Sequence, residues 1–214
     1  MSSASVLPPE LAAWLSDPGF TPGAKHLLPL FNALAQAERE DARKLERTLG
    51  RGGEAAGRSA VARLAHADTR EKARVLGVLG RVAQAHPVAE FRAALLGALE
   101  DSDERVRRVA SAALGKLDKL AVPELEARLL ERWTSASVVE KRSLAEALGK
   151  SGSERAVTLL RAERASDPEL QRIIERACLM LERDSARAQP SSIALGQPLG
   201  APQSVVVHCR AGLS

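Results

Sequence analysis

A leucine-glycine pair returns along this chain at nearly constant spacing: Leu49-Gly50, Leu79-Gly80, Leu114-Gly115 and Leu148-Gly149, then Leu181-Glu182, where the glycine is lost. The steps are 30, 35, 34 and 33 residues. Such a period indicates units that each bury, against the next unit, a face they cannot bury alone. The clearest unit is Asp101 to Leu117, DSDERVRRVASAALGKL. Within it Val106, Val109, Ala110, Ala113, Leu114 and Leu117 are offset by three, four, seven, eight and eleven residues, which is one apolar stripe of an α-helix. Arg105, Arg107, Arg108, Ser111 and Lys116 fall on the opposite side. Asp101, Ser102 and Asp103 supply the oxygens that the unpaired N–H groups of a helix start require.

Other signals keep step with the glycines. Asp68 has Glu71 three residues on and Ser137 has Glu140, both capping-box spacings, while Asp167-Pro168 puts proline at a first helical position. Helices are expected in pairs, at 24–36 and 39–49, 55–66 and 69–85, 88–100 and 103–118, 121–133 and 137–150, and 153–165 and 168–183. Pro29 means that the first of these starts late or kinks. A short helix from Pro9 to Ser16, with Leu11, Trp14 and Leu15 on one side, is expected to cover the open end of the stack, after a frayed start at 1–8.

The residues Asp101, Asp103, Val106, Arg107, Ala110, Ala113, Leu114 and Gly115 resemble the second-helix signature of HEAT-like repeats, in the short bacterial form also seen in phycobilin-lyase-type proteins. The resemblance covers roughly residues 24 to 183. Lys72 and Lys141 stand where the central unit has Arg107, and Ile174 does so in the last. It implies an all-α fold, a right-handed HEAT-like α-solenoid of about five antiparallel helix pairs. The expected organisation is a cap at 1–23, the solenoid at 24–184, a linker at 185–203, and the start of a truncated second domain at 204–214.

The 214 residues suffice for one continuous core, and alanine and leucine suit it to helices. Aromatic residues make up only 2%, which starves a base-stacking surface. The 31 basic and 27 acidic residues are interspersed, so the net charge of +4 marks no basic tract. Met1 to Asp17 lacks the basic and apolar regions of a signal peptide, and no segment reaches membrane-spanning length. A cytoplasmic monomer without membrane contact is the expectation. Cys178, in an apolar run, reads as a small core residue.

Nothing in the pattern carries catalysis, and no catalytic, cofactor-binding or metal-binding residue is assigned. Gly52 to Ser59 spells a phosphate loop with arginine for its lysine, but after a helix rather than a strand, so it reads as a flexible turn. His26, His66 and His86 are isolated and read as surface or turn positions. Trp133 alone cannot furnish the aromatic cleft of a HEAT-like DNA glycosylase. His208 and Cys209, adjacent on a strand, point to opposite faces and lack a second ligand pair.

After Asp184 the proline-, serine- and glycine-rich composition is that of a linker, and Ser204 to His208 then reads as a β-strand. That short strand stub, with Val205, Val206, Val207, Cys209, Arg210, Gly212 and Leu213, is similar to the first strand and turn of THUMP-type RNA methyltransferases. The resemblance implies an S-adenosylmethionine-dependent RNA methylase domain beyond Ser214, none of whose own motifs are present here.

One column of cations follows the repeat: Lys72, Arg107 and Lys141, with Arg108 and Arg142 beside the last two, and Arg70 near the first. On the concave face of a HEAT-like stack it would form a basic ridge able to hold RNA phosphates. The same cations could instead pair with Asp68, Asp101 and Asp103 in an intramolecular ladder. Two functional expectations result. The first is a non-catalytic scaffold, part of a larger protein, that binds a protein partner on the concave face. The alternative is an RNA-facing accessory region of a methyltransferase.

Overall fold

The computed structural model describes residues 7–117, 124–163 and 165–188. The strand stub at 204–214 and nearly all of the linker at 185–203 lie outside these, as do residues 1–6. Among the described residues the regular structure is entirely helical. In chain order the helices are α1 (Pro9–Ser16), α2 (Ala24–Gln36), α3 (Arg39–Gly50), α4 (Gly53–Leu64), α5 (Thr69–Ala85) and α6 (Ala89–Gly97), the last extended by a 3-10 turn, Ala98–Glu100. They continue with α7 (Glu104–Leu114), α8 (Leu125–Trp133), α9 (Val138–Ser151), α10 (Glu154–Ala162) and α11 (Pro168–Ala188). None is long and apolar enough to cross a membrane.

The starts follow from capping chemistry. Asp68 accepts the Glu71 N–H at 2.8 Å, Asp103 those of Arg105 and Val106, Ser137 that of Glu140 at 3.1 Å, and Asp167 that of Leu170 at 2.7 Å. Two of the aspartates expected in the ladder, Asp68 and Asp103, are thus occupied as caps. The α2 helix starts at Ala24 with Pro29 inside it, so the proline does not delay it. Its other end is closed from a distance. Arg74 of α5, only 7% exposed, donates to the carbonyl oxygens of Leu34 at 2.6 Å, Ala35 at 3.0 Å and Ala37 at 2.5 Å. A guanidinium there meets the negative end of the helix dipole and carbonyls that have no intrahelical partner.

Packing runs in sequence order. The helices α3, α5, α7, α9 and α11 touch in a row, and α2, α4, α6, α8 and α10 each pack on the helix that follows. Leu45, Leu49, Val75, Leu79, Leu114, Leu144 and Leu148 are buried between the layers, as are Phe91, Leu95 and Leu99 from the α6 side. The role of the recurring glycine is close approach. A Cβ on Gly80 would lie 2.6 Å from the Ala113 Cβ, one on Gly115 2.7 Å from the Ala147 Cα, and one on Gly149 2.9 Å from the Ala177 Cα. Each glycine therefore admits the backbone or smallest side chain of the next helix in the row.

Several details depart from the sequence expectations. Gly52 and Gly57 are packed rather than part of a flexible turn: α4 already begins at Gly53, and a Cβ on Gly57 would meet the Phe91 ring at 2.3 Å. Ser111, expected on the polar side, is fully buried and donates to the Arg107 carbonyl at 2.9 Å. His26 sits within a ring cluster, 4.8 Å from Trp14 and 5.1 Å from Phe20, and its Nδ1 accepts the Gly23 N–H at 2.9 Å. In α11 the register is three residues earlier than Leu181-Glu182 implied. Gly149 rests on Ala177, so Leu179 occupies the glycine position and is 66% exposed, while Gln171, not Ile174, occupies that of Arg107. The same helix runs to Ala188, past the expected boundary at 184.

Candidate functional site

Five of the six cations in the expected ridge are engaged between neighbouring units. Lys72 Nζ lies 2.8 Å from Asp101 Oδ2, linking α5 to the loop before α7. Arg107 places Nε and Nη2 on the two oxygens of Glu140, each at 2.8 Å, and Nη1 on the carbonyls of Asp101 and Ser102. Lys141 Nζ contacts both oxygens of Glu163 at 3.0 and 2.9 Å and lies 5.2 Å over the Trp133 ring. Arg142 forks onto Asp167 at 2.9 and 2.8 Å. Arg70 donates to the Ala37 carbonyl at 3.0 Å and lies 3.7 Å from Glu38. Only Arg108 makes no ion pair among the described residues, and its Nε is buried without a hydrogen-bond partner.

The carboxylates of these joints feel their cations. Glu140 is fully buried, and Arg132 adds a third short contact at 2.8 Å. Burial pushes its carboxyl up, but the hydrogen bonds from Arg107 and Arg132 together outweigh burial and hold it below the usual range. Asp101 is held down in the same way against burial, chiefly by Lys72. Glu163 is lowered first by Lys141, with the Trp133 indole N–H also donating to it at 2.9 Å. That indole is buried, at the edge of an open hollow that it lines with Leu130, Leu159 and Glu163.

One open feature of the row is a groove of about 520 Å³ across α5, α7 and α9. Its floor is made by Gly77, Gly80, Val109, Ala112 and Ala113, all small or β-branched, without an aromatic ring. Around it stand Arg81, Arg105, Arg108 and Lys116, none of which forms an ion pair among the described residues. The single acidic residue of the lining is Glu46, half-buried beside Gly77. Burial pushes its carboxyl above the usual range, against the opposing charges of Arg81, Arg74 and Arg43. Arg105, Arg108, Val109 and Ala112 of α7, with Lys116 just past its end, lie on one helical stripe, displaced from the core stripe by about a third of a turn.

Three of these four cations were absent from the ridge expected from sequence, yet a signal for two existed. A basic residue follows every recurring glycine: Arg51, Arg81, Lys116 and Lys150. Because the glycine points at the next helix, its successor lies at the rim of the crevice between helices. Lys150 accordingly lines a smaller pocket of about 130 Å³ between α9 and α11, with Arg176 opposite. Among the described residues no group of three or more histidine, cysteine, aspartate or glutamate side chains is placed to hold a metal ion. No protein-family pattern matches the chain, and no curated protein is similar to it.

Proposed function

We propose that this chain is a non-catalytic interaction scaffold, a right-handed α-solenoid of HEAT-like units that holds a protein partner along the face of α5, α7 and α9. The observation that carries the reading is the groove of about 520 Å³ on that face, within the size range of ligand sites and bordered by cations that form no ion pair among the described residues. The ordered row of α3, α5, α7, α9 and α11 and the repeated contact of glycine on alanine support the solenoid. Each unit leaves a face that the next one covers, as repeat stacks require. An RNA-facing role within a methyltransferase would use the same face with less free charge, since Lys72, Arg107, Lys141 and Arg142 already hold carboxylates.

Selection of a random peptide library on the intact protein tests the scaffold reading, with Ala112→Trp as the groove-filling variant and a thermal melt to verify its fold. Enriched peptides that bind the wild type and lose the variant are the expected result. No enrichment, or binding indifferent to Ala112→Trp, overturns the reading. Binding of structured RNA that weakens steeply with salt, in the absence of any peptide binding, would replace it with the RNA-facing role.

A further inference from the structure

We infer that the groove across α5 and α7 receives an acidic segment of a partner protein, whose carboxylates meet Arg81, Arg105, Arg108 and Lys116 while its small apolar side chains rest on Val109, Ala112 and Ala113. The inference rests on the protein-binding reading and names the chemistry of that partner.

The argument is one of charge complementarity. The cations of the column beside the groove are matched by carboxylates: Lys72 with Asp101, Arg107 with Glu140, Lys141 with Glu163 and Arg142 with Asp167. In the groove four cations face one acid, and that acid, Glu46, is the group whose ionisation burial disfavours. The guanidinium of Arg108 is partly withdrawn from water, with Nε left unpaired. A buried donor without a partner is unfavourable, and an incoming carboxylate would offer the guanidinium an acceptor. Like charges gathered without counter-charges also repel one another, and an acidic partner removes that repulsion.

The floor separates the two polyanion classes. A nucleic-acid strand held without sequence reading gains much of its affinity from bases stacked on aromatic rings. Here the floor offers glycine, alanine and valine, and its uncharged polar side chains are only Gln84 and Ser143. Alanine and valine instead provide a shallow apolar surface for aliphatic side chains placed between acidic ones. Three of the cations stand along α7 and the turn after it, from Arg105 to Lys116, roughly 16 Å at 1.5 Å per residue, so the partner spans a short segment rather than one residue.

Fluorescence anisotropy on the intact chain tests this with a labelled peptide of alternating glutamate and small aliphatic groups. The comparators are a peptide with lysine for every glutamate, a peptide of the same composition with all glutamates in one block, and oligouridylate. The glutamate peptide should bind, and Arg105→Glu with Lys116→Glu should weaken it by at least about tenfold, equivalent to 1.4 kcal/mol. Arg81→Gln with Lys116→Gln, a milder pair, should weaken it in the same direction if the first variant fails to fold. Glu46→Gln should tighten it.

Equal affinity of the charge-reversed variant and the wild type overturns the inference. So does equal binding of the block peptide, which would indicate unspecific charge attraction, or tighter binding of oligouridylate at the same residues. Library peptides that need the groove but carry no acidic residues would overturn this inference and leave the scaffold intact. Failure of every peptide would remove both.

Discussion

Arg107 of α7 lays its guanidinium across both carboxylate oxygens of Glu140 of α9, two contacts of 2.8 Å between residues 33 apart. The spacing is that of the repeat, so the pair is a bolt between consecutive units. Glu140 is also the first-turn glutamate that faces its own cap, Ser137, and its backbone N–H bonds that hydroxyl at 3.1 Å. One residue thus starts a helix and ties it to the previous unit.

Charge reversal should therefore separate two adjacent arginines. Arg107→Glu places a second carboxylate beside a buried one and should cost about 3 kcal/mol or more, whereas Arg108→Glu, in a groove of like charge, should stay within about 0.5 kcal/mol. Urea denaturation of the single variants measures both, and equal losses would contradict the division between joint and groove.

Acid should loosen the joints first. Asp101, Glu140, Glu163 and Asp167 all have folded-state pKa values below their ordinary ones. Their contribution is complete above the unfolded values of about 3.9–4.3 and is lost as the pH falls through the lowered folded values. The melting temperature should be level from neutral pH to about 5 and fall below about 4. Glu140→Gln, less stable at neutral pH, should lose less over the acid range; an unchanged acid slope would remove Glu140 from this account.

The same glycine-to-alanine change should have opposite signs at two positions. In Gly115→Ala the new methyl meets the Ala147 backbone at 2.7 Å, and separating the packed helices α7 and α9 should cost about 1–3 kcal/mol. Gly97 has helical backbone angles and nothing within 4 Å, so Gly97→Ala should stabilise by about 0.4–1 kcal/mol through the unfolded chain. Thermal melts of the two variants decide it.

Arg74→Lys should be poorly tolerated despite the retained charge. An ammonium offers donors from one point and cannot replace a planar fork on three carbonyl groups. A loss of about 1–3 kcal/mol is expected, with faster amide exchange in the last turn of α2. Protection of that turn equal to the wild type would show that the cap is dispensable.

The helices were legible because their signals are local. Periodic apolar residues and capping oxygens act within a few residues, and α1, α2, α5 and α9 begin within a residue of where the sequence places them. The register of α11 was misread because Leu181 and Cys178 sit one turn apart on one apolar face. Either could stand for the missing mark, and only the seat of Gly149 on Ala177 distinguishes them. Ser111 was misread because small polar residues can bond the carbonyl four residues back and so enter the core.

The sequence alone determined that the described part of the chain is helical, where most of its helices begin, which faces are apolar, and that its units recur every 30 to 35 residues. It also placed Arg107 and its counterparts in a column. Only the tertiary structure decided which cations are consumed and which remain. Pairing depends on where the next unit's carboxylates arrive, some 22 to 33 residues away, and Coulomb attraction acts through distance in space rather than along the chain. Docking of the units occupied Lys72, Arg107, Lys141 and Arg142 and left Arg81, Arg105, Arg108 and Lys116 around an open groove.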